Sequence, residues 1–401
     1  MLKLHTSEGA LRGALRGALC GALRGALCSA LMCAAPAALA APHGPAAESA
    51  PEEREGVTPT PGARAALVGF SLLTGLSFYG PAAVALLDSS SPRVTVGAYL
   101  LTAGGSFLVP YLATGSGDVS WAAADLSSSL SLRGALHGAQ LAVSLDANAD
   151  ASIALAGLLS MAEAVGGYQY ATRAHLSAGE AHTLVVSSDI GMLAGLLGAL
   201  VASGDTLRAA PLASFSLAGG LVGFGAGELY RRHRARSWGD AEAVRASALL
   251  GLAATVPLSA SLSLDSPRAV GLCGLVTLAA GAAAGDLLTR GAALSLSEAL
   301  IMDVSALGGA FLGAGAMYMI NPELRSSTPY LWSSLVGAAA GYALSYLSAT
   351  RWERAEEGFE GAEEGAGAGA GGVSLGPWLT PLPRAAGRVG LARGLGLSGS
   401  F

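Results

Sequence analysis

The centre of the chain repeats itself, and that repeat limits the fold more than any single residue does. Ser177-Ala-Gly-Glu180-Ala181 recurs as Ser237-Trp-Gly-Asp240-Ala241 and again as Ser295-Leu-Ser-Glu298-Ala299, at steps of 60 and 58 residues. Self-similarity at a fixed step signals stacked supersecondary units that bury a face against their neighbours. Each copy reads Ser-x-x-acid ahead of an apolar run, the pattern of a capping box. The serine oxygen accepts from an orphaned backbone N–H, and the acid accepts from the cap's own N–H while facing the positive end of the helix dipole. Three copies in register predict three equivalent helix starts.

Small residues return at matching offsets downstream. Ser187, Gly191 and Gly195 correspond to Ser247, Gly251 and Thr255, and to Ser305, Gly309 and Gly313. A spacing of four puts them on one helical face, where a second backbone can approach closely. A second helix in each unit carries the GxxxG pairs Gly223/Gly227, Gly281/Gly285 and Gly337/Gly341. Turn-like connections lie between: Gly204-Asp205, Asp265-Ser-Pro267 and Asn321-Pro322-Glu323. Residues 177–236, 237–294 and 295–350 are therefore expected to be helical hairpins. A looser copy runs from Gly117-Asp118 through Gly134, Gly138 and Asp146-Ala-Asn-Ala-Asp150 to Gly166-Gly167. A more divergent pair, Ala63–Leu87 and Val94–Thr114, flanks Asp88-Ser-Ser-Ser-Pro92. The expected fold is an all-α array of five Ala/Gly-rich hairpins, ten helices, across residues 63–350.

The flanks read differently. Residues 9–32 run in tetrads with Arg12, Arg16 and Arg24; no charge then appears until Glu48, and Ala38-Leu39-Ala40 precedes Ala41-Pro42. A basic start, an apolar stretch and an A-x-A site are the parts of a secretory signal, here residues 1–40. Cys20, Cys28 and Cys33 fall inside it, so the mature chain keeps Cys273 and no internal disulfide. An acidic, proline-bearing linker occupies 41–62, and an acidic then Gly/Ala-rich linker occupies 351–372. The last segment, 373–401, alternates at Val373, Leu375 and Leu379 and at Val389, Leu391, Leu395 and Leu397, which reads as two short strands. A terminal Phe401 on such a strand resembles the C-terminal signal of bacterial outer-membrane barrels. Arg393 and Gly399 interrupt the pattern, and nothing upstream supplies a barrel's other strands. The expected address is export to the cell envelope, in membrane or periplasm, with outer-membrane association the reading that Phe401 adds.

Composition bears on the solvent. Of 401 residues, 52% are hydrophobic and 13% charged, too little charge to coat nucleic acid or to remain disordered. Helices of about 20 residues span roughly 30 Å, the thickness of a bilayer core. Trp121, Tyr170, Tyr230, Trp238, Tyr346 and other aromatics fall near expected helix ends, as interfacial belts do. A lipid bilayer is the expected partner, and the small-residue stripes suit self-association; nucleic acid is not expected. The arginines point the other way. Loops after even-numbered helices hold Arg173, Arg231, Arg232, Arg234, Arg236, Arg290, Arg351 and Arg354, against Arg93, Arg208, Arg268 and Arg325 in the opposite loops. With a cleaved signal this inverts the positive-inside rule. Either the helix count is off by one, or the bundle is not an ordinary inner-membrane protein.

Ionisable residues inside apolar helices are functional candidates if those helices cross lipid. Asp189 and Asp303 lie in corresponding helices one turn apart; Arg245, Glu163, Arg133 and His137 are similarly placed. A polar or proton pathway between hairpins competes here with the commoner alternative, interhelical hydrogen bonding. His175, Glu180 and His182 suggest a metal cluster, but Glu180 is already the capping acid and the other copies carry no matching histidine. Gly115-Ser-Gly117-Asp118 matches the GxGD of intramembrane aspartyl proteases, without a partner aspartate motif. Arg231 to Arg236 suits anionic headgroups or, more simply, the negative end of a helix. No nucleophile elbow, phosphate loop or zinc motif is present, so neither an enzyme nor a cofactor nor a metal is expected. The leading expectation is a membrane-associated helical-repeat protein of the cell envelope with a structural or interaction role. Its alternative is a polytopic channel or transporter that uses buried acidic residues.

Overall fold

Serine caps set the register of the fold. The computed structural model describes residues 60–115, 119–204, 206–321, 326–363, 374–381 and 391–398. The expected signal, most of the 41–62 linker, residues 364–372 and Phe401 lie outside the described residues. Ser177, Ser237 and Ser295 each accept from the N–H three residues on, and Glu180, Asp240 and Glu298 each accept from the cap N–H. The three expected capping boxes are therefore formed. The preceding unit opens the same way at Ser120, which accepts from the Ala123 N–H.

Ten helices follow among the described residues: α1 (Pro61–Leu87), α2 (Pro92–Ala113), α3 (Trp121–Ser144), α4 (Ala149–Arg173) and α5 (Ala178–Ser203), then α6 (Ala209–Arg231), α7 (Trp238–Ser261), α8 (Pro267–Leu288), α9 (Leu296–Ile320) and α10 (Thr328–Glu363). Helix α1 contains a π turn at Gly75–Tyr79, just ahead of Pro81. Widening the helix there relieves the clash of the proline ring with the preceding turn. Helix α10 continues to Glu363, past residue 350 and into the segment expected to be linker.

The hairpins close where the glycines predict. A methyl group added at Gly191 would lie 2.3 Å from the Gly219 carbonyl oxygen, and one at Gly223 would lie 2.3 Å from that of Ser187. The same contacts join α7 to α8 through Gly251 and Gly281, and α9 to α10 through Gly309, Gly313, Gly337 and Gly341. Gly195, Gly227 and Gly285 complete the set. Only the lack of a side chain lets these backbones touch.

Adjacent units share a joint at their helix starts. A methyl at Gly179 would meet the Arg236 carbonyl, and one at Gly239 would lie 2.3 Å from that of Leu294. Ser237 Oγ donates to the Leu294 carbonyl at 2.7 Å, and the Leu294 N–H donates to Asp240 Oδ1 at 3.1 Å. At the same end Tyr170 donates to Glu228, and Tyr230 donates to Asp286, so a tyrosine of one unit holds an acid of the next. Through these joints the odd helices touch in chain order, α1–α3–α5–α7–α9, while α6 also packs on α3 and α8 on α5.

Eight helices, α1, α2 and α4 to α9, are long and apolar enough to cross a membrane. Their outward side chains are large and bare: Leu101 is 79% exposed, Phe311 78% and Met319 82%. Helix α3 is not in that set, because Asp125, Arg133, His137 and Gln140 make it too polar. It packs instead among α1, α4, α5 and α6. The chain divides into two units, Met1–Leu347 and Ser348–Phe401. In the second, strands β1 (Ser374–Pro381) and β2 (Leu391–Ser398) pair antiparallel, Ser374 opposite Ser398.

Candidate functional site

The odd helices bring one position of each unit together. Asp125, His182 and Glu242 are each the fifth residue after a cap serine, on α3, α5 and α7, about 7 Å into the helix at 1.5 Å per residue. Stacking the units in register stacks these side chains. His182 Nδ1 lies 3.0 Å from Asp125 Oδ2, and its Nε2 lies 2.8 Å from Glu242 Oε2. His182 and Glu242 are buried, Glu242 to 3% side-chain exposure, and Asp125 is half-buried. A carboxylate only accepts, so an imidazole that bonds one through each nitrogen donates from both and is the cation.

The network continues inward. Arg245 donates to Glu242 and places Nη1 3.9 Å from Asp189 Oδ2. Arg133 donates to Asp189 Oδ1 through Nε at 3.0 Å and Nη2 at 2.6 Å, and to the Val185 carbonyl. Asp303 of α9 hydrogen-bonds Glu242. Two carboxyl groups can share such a bond only with a proton between them. Beside it, Tyr342 of α10 donates to the Ala243 carbonyl at 3.0 Å and accepts from Ser247.

A cleft of about 100 Å³ opens onto this network, lined by Asp125, His182, Glu242 and Arg245 together with Phe70, Trp121, Trp238 and Leu300. Its walls come from all five odd helices, so the row of odd helices curves around it. The Trp121 and Trp238 rings lie 6.1 Å apart, and the His182 ring 5.5 Å from Trp238.

Of the residues singled out in the sequence, Asp189, Arg245, Asp303 and Arg133 meet in this network. Glu163 does not; it bonds His137 Nδ1 at 2.8 Å on the α3–α4 hairpin. Asp125 and Glu242 were missed, and His182 was weighed only with His175 and Glu180. The structure turns His182 away from that pair, and Glu180 bonds the Ser177 N–H instead. Among the described residues no group of three His, Cys, Asp or Glu side chains is placed to hold a metal ion. The signal that could have found the site was positional, an acid, a histidine and an acid at one offset from three successive caps. Compared with known proteins, the chain matches no family model, no curated protein and no solved structure.

Proposed function

We propose that the chain is a polytopic membrane protein, a channel or transporter, that moves an ion or small solute through the centre of a curved array of hairpins. The observation that carries this reading is one connected network of buried Arg133, His182 and Glu242 with half-buried Asp125, Asp189, Arg245 and Asp303 beneath a cleft. Ionisable side chains among apolar helices are costly, and where they persist they mark pathways. The reading assigns the network no covalent chemistry.

The residues of the expected signal support an envelope location. The inverted arginine bias also finds a structural role in this reading. Arg231 and Arg232 pair with Glu228, while Arg234, Arg236 and Arg290 pair with Asp286, all at the joints between units. Those same joints support the second reading, a structural protein whose repeats exist to stack.

Purified protein in liposomes separates the two. Under an ion gradient the wild type is expected to carry a flux that Asp189→Asn together with Asp303→Asn abolishes. Sealed wild-type vesicles would leave the structural reading in its place.

A further inference from the structure

Beyond Asp189 the buried face of α3 carries polar atoms that nothing among the described residues satisfies. Arg133, His137 and Gln140 follow one another at helical spacing on one face. Arg133 Nη1, His137 Nε2 and Gln140 Oε1 are all buried without a hydrogen-bond partner. Arg133 is 4% exposed and His137 3%. Orphaned buried groups are rare, and three in a row on one face call for a common partner. Left unsatisfied they are costly, whereas a buried water takes two to four hydrogen bonds.

Gly220 is the neighbour whose missing side chain spares His137 Nε2. A methyl added at Gly220 would sit 3.0 Å from His137 Nε2 and 3.7 Å from Ser188 Oγ, touching no backbone. Gly220 is therefore unlike Gly219 and Gly223 beside it, whose missing side chains admit a neighbouring backbone. Its absent side chain keeps the approach to His137 open. Past Gln140 the polar line goes on to the far end of α3: Gln140 donates to Ser216 at 3.0 Å, and Ser214 donates to Ser144 at 2.8 Å.

We propose that waters fill this strip and that, with the network beneath the cleft, it forms a proton path along α3. This rests on the transport reading and names the species carried. Each transfer balances at His137. The water chain gives a proton to Nε2, forming an N–H bond there while the donor water regains one from its neighbour, and the Nδ1–H bond breaks as its proton passes to Glu163 Oε1. Glu163 releases that proton on its partly exposed side, and a half-turn of the ring exchanges the two nitrogens, so His137 is reset with one proton moved. A chain of waters passes a proton by exchanging bonds, a route that metal cations and organic ammonium ions cannot use.

The test uses the whole protein in liposomes with a trapped pH-sensitive dye. The wild type is expected to conduct protons when sodium and potassium are replaced by an impermeant cation. Gly220→Ala and His137→Phe are each expected to lower that flux about tenfold or more, since each blocks or removes an ionisable step. If Asp189→Asn with Asp303→Asn abolishes flux while Gly220→Ala and His137→Phe both conduct normally, the route is wrong and the transport reading stands. If the wild type carries potassium or a solute but no protons, the species is wrong and transport again stands. If the wild type carries nothing, both fall. Should the Gly220 and His137 variants fail to fold, hydroxyl-radical labelling of wild-type Met192, whose Cβ borders Gly220, decides the matter. Labelling supports a water-filled strip, and a protected Met192 overturns it.

Discussion

At the scale of the residue, the network balances only as a group. Arg133, Arg245 and the doubly bonded His182 supply three positive charges, set against Asp125, Asp189, Glu242 and Asp303, of which one pair shares a proton. Removing one member leaves its partner charged in an apolar surround, which typically costs about 3–5 kcal/mol. Arg133→Leu is therefore expected to lower the melting temperature in detergent far more than Arg133→Leu combined with Asp189→Leu. Equal losses from the single and double variants would show that the pair does not act as one. By contrast, Tyr342→Phe removes a neutral bond and should cost roughly 0.6–2 kcal/mol. The sequence made Asp189, Asp303 and Arg245 visible because an ionisable residue in an apolar run stands out alone. Asp125 sits one turn inside a helix start, where an acid is unremarkable beside the dipole. Glu242 hides among Asp240 and Arg245 in what reads as a solvated first turn. Which of them point inward depends on how units stack, and that is not written in any one unit.

At the scale of the element, the fold was largely legible. Capping boxes gave the helix starts, and GxxxG pairs gave the closing faces of the hairpins. Both are local rules that hold before any tertiary contact forms. The π turn in α1 was not legible, because it answers Pro81 jointly with the packing of Gly75 and Gly80 on α2. The run of α10 to Glu363 was not either, since an acidic sequence reads equally well as helix or linker. The glycines allow a sharp comparison within α6. Gly223→Ala would place a methyl 2.3 Å from the Ser187 carbonyl oxygen, whereas Gly225→Ala meets nothing within 4 Å. Gly225→Ala is expected to be neutral or to stabilise by up to about 1 kcal/mol through helix propensity. Gly223→Ala should force α5 and α6 apart and lower the melting temperature clearly. Equal melting curves for the two would refute close backbone packing as the source of hairpin stability.

At the scale of the whole molecule, the exposed surface decides where the protein lives. Leu101, Leu312, Phe311 and Met319 stand bare on α2 and α9, the helices with least of their apolar span buried. A water-soluble protein rarely shows so much contiguous apolar surface. The protein is expected to stay with membranes through an alkaline carbonate wash and to leave them only with detergent. N-terminal sequencing of that membrane fraction should begin at Ala41. Release by carbonate would sink the spanning arrangement, and a retained Met1 would sink export by a cleaved signal.

The joint between units also sets how long such an array can grow. Gly179 and Gly239, two residues after their caps, are the points against which the following unit seats its own cap. The corresponding residue of the last unit is Ser297. After Ser120 the corresponding residue is Ala122, packed with Leu176 and Ala181 of the next unit, so one seam holds a methyl where two others exclude it. Duplication of the 237–294 segment in its own place would keep a glycine at each new seam, so an array of this kind could gain a unit from its middle without altering a joint.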